Sequence, residues 1–192
     1  MLQFDLTAFH YLNGIWTNPF FDWLMPIVTT QKNWVPLLIV GWFFLLLGFS
    51  GRFRRLALML ALVVTISDVT SSRLIKPIFS RQRPCCSAIE KRLLVGCTKS
   101  KSFPSSHAVN SAAVAGFIWL ETGWAIGLPL TLLSILIAYS RVYVGVHYPL
   151  DVFAGFLIGW AVALLVWNIS QKFPGKKSLS EAKSDITGVS PC

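Results

Sequence analysis

Apolar residues in this chain come in long blocks, and that arrangement decides what it can fold into. Stripes at helical spacing would mark surface helices and alternation would mark half-buried strands, but continuous blocks mark a bilayer. A helix crossing about 30 Å of hydrocarbon needs roughly 20 residues at about 1.5 Å each. Such blocks cover Trp34–Phe49, Leu56–Ser72, Ala108–Leu120, Trp124–Tyr139 and Leu150–Trp167. A sixth, Pro19–Thr30, is shorter and carries Asp22 and Pro26. With 54% hydrophobic and only 13% charged residues among 192, an ordinary soluble domain is excluded. The expectation is all-α: an integral-membrane bundle of about six transmembrane helices, forming one domain over residues 1–170.

Leu2–Leu12 mixes apolar and polar groups at roughly helical spacing, which predicts an N-terminal amphipathic helix on the membrane surface. Residues 171–192 turn polar, with Pro, Gly, Lys and Ser, and read as a short disordered tail. No internal repeat and no signal peptide are expected: no charged segment precedes an apolar core with a cleavage site after it. The net charge of +9 lies in the loops of a membrane protein. It therefore points to the lipid bilayer as partner and to no nucleic acid.

Three polar clusters interrupt the blocks. Lys76–Pro84 reads K-P-I-F-S-R-Q-R-P, Phe103–His107 reads F-P-S-S-H, and Ser140–Asp151 reads S-R-V-Y-V-G-V-H-Y-P-L-D. Singly, each has a bland explanation: cations snorkelling to headgroups, a serine N-cap, a solvated loop histidine. Chain tracing changes that. The first two clusters share one loop, from about Arg73 to Phe103. Two crossings later the chain returns to the same face, where the third begins. All three therefore meet at one membrane surface, the arrangement expected of an active site.

The residue types suggest phosphate chemistry. Lys76, Arg83 and Arg141 suit the non-bridging oxygens of a phosphate. Backbone N–H groups near Ser105 and Ser106, at a helix start, complete an anion cradle. Of the two histidines, His147 is the better nucleophile because Asp151 can hold its tautomer, leaving His107 as the acid. No acidic cluster is available for magnesium, so no metal and no cofactor is expected. Asp68, deep in an apolar run beside Ser67, Thr70, Ser71 and Ser72, is read as a structural group facing the bundle interior. The loop also holds Cys85, Cys86 and Cys97, which lack zinc-site spacing. In an oxidising compartment Cys97 would pair with Cys85 or Cys86.

K-x6-R-P, P-S-S-H and S-R-x5-H-x3-D, in this order, resemble the three signature motifs of the type 2 phosphatidic acid phosphatase superfamily. The match runs from Lys76 to Asp151. It implies a membrane phosphatase working through a phosphohistidine. His147 would be the nucleophile, Asp151 its orienting partner and His107 the general acid, with Lys76, Arg83, Ser105, Ser106 and Arg141 on phosphate. The family usually has P-S-G-H, so Ser106 departs from the pattern, but a small residue at a helix start needs no positive φ. The implied substrate is a membrane lipid phosphate or pyrophosphate: undecaprenyl pyrophosphate, phosphatidylglycerol phosphate, phosphatidic acid or lipid A, the first slightly preferred on family breadth. A lipid phosphotransferase would use the same intermediate; a non-enzymatic binder or transporter would not need His147 or Asp151. The basic turn Gly51–Arg55 marks the cytoplasmic side. Six spans then place both termini inside a bacterial inner membrane and the site at the periplasm or outside.

Overall fold

The computed structural model describes residues 3–48 and 50–172, all helix, turn and irregular chain without a strand among them. The tail beyond Lys172, Cys192 included, lies outside the described residues. Helix α1 (Gln3–His10) runs into a π-helical turn, Tyr11–Ile15, and is followed by α2 (Pro19–Thr29) and α3 (Gln31–Leu47). Next come α4 (Gly51–Val69), a π-helical turn at Thr70–Ile75 and α5 (Lys76–Ile78), which continue one another. A long irregular loop leads to α6 (Ser106–Thr122), α7 (Trp124–Tyr143) and α8 (Pro149–Gln171).

Three apolar stretches are long enough to cross a membrane singly: Gly51–Ile78, α7 and α8. The pair α2 and α3 qualifies jointly, across a 49° bend. α3 buries none of its residues and is apolar all round, as a helix surrounded by lipid must be. The bundle is built around α6, which packs on α8, α7 and α4. Val63, Ala113, Phe117, Val162, Ala163 and Val166 form the core between α4, α6 and α8. A second cluster joins Phe9 of α1 to Ala108, Ala138, Val142, Tyr148 and Val152 beneath the polar turns.

Two expectations change. Gly51–Arg55 is not a free turn but the first turn of α4, started by Ser50, whose Oγ accepts the Arg52 N–H at 3.3 Å. Its Arg55 donates to the Ser170 carbonyl at 3.0 Å and lies 3.8 Å from Glu121. Asp68 is exposed rather than inward, its carboxylate accepting from Ser72 Oγ at 3.4 Å. Neighbours on a helix point about 100° apart, and it is Ser67 that faces α6, donating to Asn110 Oδ1 at 2.8 Å.

α6 and α8 approach closely because small residues line the seam. A Cβ on Gly155 would lie 2.9 Å from the Ser105 carbonyl oxygen, and one on Gly159 2.4 Å from that of Val109. Ala108 and Ala112 face these glycines, so backbone meets backbone as membrane helices require when no hydrophobic drive joins them. Gly159→Val should therefore lower the melting temperature in detergent by several degrees, overpacking costing about 1–3 kcal/mol. Gly41→Ala is the control: its Cβ meets nothing within 4 Å, and no loss of stability is expected there.

Candidate active site

The three polar clusters meet where α6 and α8 begin. After α7 the chain must turn sharply, and Gly145 supplies the turn with φ +84°. A Cβ there would strike the Arg92 carbonyl oxygen at 2.3 Å. The N–H groups of Val146 and His147 both donate back to the Arg141 carbonyl, at 3.1 and 3.2 Å. This fold-back buries the His147 ring. Pro149 then opens α8, and Asp151, at its third position, accepts the Tyr148 N–H at 3.0 Å. The helix start thus aims the Asp151 carboxylate back at His147, with Nδ1 to Oδ2 at 3.5 Å. Nδ1 has no nearer partner.

The other ring nitrogen meets Arg83, whose Nη1 lies 2.8 Å from Nε2. A guanidinium only donates. Nε2 must therefore be the acceptor and the ring proton must sit on Nδ1, towards Asp151. Arg83 is itself held by the carbonyls of Ser100 and Val146, at 2.8 and 3.1 Å, and by Ser100 Oγ at 2.9 Å.

Ser105 caps α6, and its N–H donates to the Asp151 carbonyl at 3.0 Å, which ties this turn to α8. Its buried Oγ has no partner among the described residues. Ser106 begins the helix with negative φ, as expected of it. Its Oγ accepts from Lys76 Nζ at 2.6 Å, with Ser71 and Ser72 hydroxyls at 3.2 and 3.4 Å. The π-helical turn before Lys76 shifts the register that brings these groups round to α6. Arg141 is braced by Thr29, Nη1 to Oγ1 at 2.6 Å, while its buried Nε also lacks a partner. The charges acting on His107 are those of Arg141, His147, Lys76 and Arg83. The eight residues singled out from the sequence are thus brought to one end of the bundle, where α6 and α8 begin. Besides His147 Nδ1, the donors Ser105 Oγ and Arg141 Nε there have no partner among the described residues, which suits an incoming anion.

Sequence reasoning missed several supports. Ser102 donates to Asp151 Oδ2 at 2.5 Å and Arg81 Nη1 to Oδ1 at 2.7 Å. Arg81 stands two residues before Arg83, and spacing cannot say which of two arginines meets a carboxylate. Ser100 and Thr29 come from irregular chain and a helix end, with no motif around them.

The PAP2 superfamily profile matches residues 54–174, well over half of the chain. The chain belongs to the PAP2 superfamily. It is 29% identical over 180 residues to a lipid A 4'-phosphatase of Bacteroides thetaiotaomicron, covering 90% of this chain and 79% of that protein. It is 33% identical over 150 residues to an undecaprenyl-diphosphatase of Sulfolobus acidocaldarius, covering 75% and 66%. Among solved structures, LpxE of Aquifex aeolicus superposes with TM-score 0.67 at 27% identity, covering 87% of this chain and 96% of that one. A phosphatidylglycerolphosphate phosphatase of Bacillus subtilis shares the fold, with TM-score 0.70 at 24% identity over 90% and 87%.

In this PAP2 chain a disulfide, Cys85–Cys97 with Cα atoms 5.9 Å apart, closes the loop that carries Arg83 at its foot. Among the described residues Cys86 is the free thiol, and it is exposed. Of the two pairings left open by the sequence, this is the one the chain adopts.

Burial pushes the His147 imidazole down to about 3; Arg83 and Arg141 act in the same direction and Asp151 opposes. The unfolded chain takes up that proton near the ordinary value of 6.5. Stability from this group is therefore full above about pH 6.5 and is lost as the pH falls towards 3. Melting temperatures across that window should drop for the wild type and drop less for His147→Gln, whose side chain stays neutral throughout.

Proposed function

We propose that this chain hydrolyses the phosphate or pyrophosphate of a membrane lipid through a phosphohistidine on His147. The observation that carries the proposal is the fixed tautomer: Nε2 bears the lone pair and points at Arg83, while Nδ1–H faces Asp151. Lys76, Arg83, Arg141, the Ser105 and Ser106 hydroxyls and the N–H groups at the start of α6 would hold the phosphoryl oxygens. Arg83 Nη1 would pass from Nε2 to a phosphate oxygen as the substrate arrives. Nε2 then attacks phosphorus, the P–N bond forms as the P–O bond to the lipid breaks, and His107 protonates the leaving oxygen. Asp151 stabilises the charge that develops on the ring. Water, deprotonated by His107, cleaves the P–N bond in the second half. The groups gathered at the pocket are mostly cations, a set that binds the substrate anion and repels a divalent metal.

The names of the two curated relatives support a lipid-linked substrate, either a sugar phosphate of the lipid A type or an isoprenyl pyrophosphate. An acceptor other than water would make the same intermediate a phosphotransferase. Phosphate release from purified lipid A, undecaprenyl pyrophosphate, phosphatidylglycerol phosphate and phosphatidic acid decides among them.

The topology we propose has five crossings, not six. At 11 residues α2 spans only about 16 Å, so it joins α3 as one bent crossing. Asn18 and Asp22 support this by reaching Tyr143 on the site's face. With the Gly51–Arg55 end cytoplasmic, site and α1 lie outside a bacterial inner membrane. There α1 would serve as the amphipathic surface helix.

His147→Ala should abolish turnover in a protein that still melts cooperatively, and Asp151→Asn should slow it by about 1,000-fold or more through lost tautomer control. Labelled substrate quenched within milliseconds should leave an acid-labile phosphohistidine on the wild type and none on His147→Ala. Wild-type rates in His147→Ala would sink the nucleophile assignment. On intact cells carrying Cys192→Ser, a membrane-impermeant maleimide should label Cys86. Labelling only after permeabilisation would place the site in the cytoplasm.

A further inference from the structure

Arg81 and Asp5 have no place in the signature motifs, yet both stand next to the reacting pair. Arg81 bridges two buried carboxylates, its Nη1 donating to Asp151 Oδ1 at 2.7 Å and its Nη2 to Asp5 Oδ2. Both aspartates are fully buried. The guanidinium lies over the Tyr148 ring, 4.2 Å from its centre, and Tyr148 in turn packs on Phe9 of α1. The second Asp5 oxygen accepts the Leu150 N–H at 2.9 Å, one residue before Asp151. One arginine thus balances the carboxylate behind His147 and clamps α1 to the start of α8.

The Asp151 carboxylate needs this partner. Its Oδ2 is shared by the Tyr148 N–H, the Ser102 hydroxyl and, at 3.5 Å, His147 Nδ1. An aspartate's terminal torsion is broad and nearly two-fold, so contacts on Oδ2 alone leave the plane free to tilt. A donor on Oδ1 fixes it. A planar fork does so while holding a second carboxylate in a fixed geometry; a lysine could reach both but, as a point charge with rotatable donors, would not set the plane.

We propose that Arg81 is a positioning residue for catalysis and that Asp5 holds it in place, so that the N-terminal helix is a working part of the active site. The inference rests on His147 as nucleophile. Arg81 sets the carboxylate plane that orients the ring; Asp5 sets Arg81. Phosphate binding belongs to Lys76, Arg83 and Arg141 and does not depend on this bridge.

The test uses the full chain in detergent with the best substrate of the lipid panel, each kcat divided by the number of sites that form phosphohistidine. That normalisation removes any loss that is only misfolding. Arg81→Met should lose kcat by about 100-fold, the cost of a small misplacement of a reacting group, with KM nearly unchanged. Arg81→Lys should recover part of it. Asp5→Asn should lose about tenfold, and Arg81→Met with Asp5→Asn should be no worse than Arg81→Met alone, since the two act as one unit. Millimolar guanidinium should restore part of the rate of Arg81→Ala, a response no purely structural role predicts. A normal kcat per site in Arg81→Met, a loss confined to KM, or multiplying effects of the two substitutions would each overturn the proposal. If Arg81→Met does not fold, Asp5→Asn decides, a normal kcat per site counting against it. An active His147→Ala would overturn the nucleophile reading itself, whereas a dead His147→Ala beside a fully active Arg81→Met overturns only this inference.

Discussion

Everything in this site hangs on how closely α6 and α8 approach. Lipid tails give apolar helices no reason to prefer each other, so helix pairing in a bilayer must come from close packing. Gly155 and Gly159 let α8 lie directly on the backbone of α6, with Ala108 and Ala112 opposite. The contact begins at the Ser105 carbonyl, at the very end of α6 that presents its free N–H groups. The same approach sets Asp151 one hydrogen bond from the Ser105 N–H. Two turns about 40 residues apart in sequence are thereby made into one pocket by a seam that carries no chemistry of its own.

A second constraint is charge. Lys76, Arg83 and Arg141 crowd a partly buried pocket at a membrane surface, and like charges so placed repel. The fold tolerates them by holding each with neutral hydroxyl and carbonyl acceptors: Ser106 for Lys76, Ser100 and Val146 for Arg83, Thr29 for Arg141. These partners place the cations without neutralising them, so their charge is kept for an anion. Arg81 is different. It is neutralised by Asp5 and Asp151 together, and so differs from the three cations proposed to hold phosphate.

The histidine between these groups is kept neutral by burial as much as by its neighbours. Under the proposed mechanism a protonated ring would have no lone pair for phosphorus, so burial would be part of the chemistry. The N-terminal segment 3–15 takes part in it: Phe9 seals the Tyr148 side, and Asn13 holds the Arg92 N–H and the Tyr143 carbonyl at 2.8 and 2.7 Å, steadying the Gly145 turn.

By itself the sequence determined the solvent, the helix class and which polar clusters come together. Blocks of apolar residues admit only helices in a bilayer, and an even number of crossings between clusters puts them on one face whatever the remaining spans do. His147 and Asp151 were legible because four residues separate them at a helix start, and Ser105 and Ser106 because Pro104 precedes them. Only the tertiary structure decided what rests on contacts between distant segments. Nothing local says that Arg81 rather than Arg83 meets Asp151, that Asp5 lies beside it, or that Cys85 rather than Cys86 takes Cys97. The inward residue of α4 proved to be Ser67 and not Asp68, since a run of polar neighbours leaves the facing angle open until a partner helix fixes it. The count of spans also depends on tertiary structure: Pro19–Thr30 reads as a crossing by composition, while in the fold α2 is long enough only together with α3, across a 49° bend.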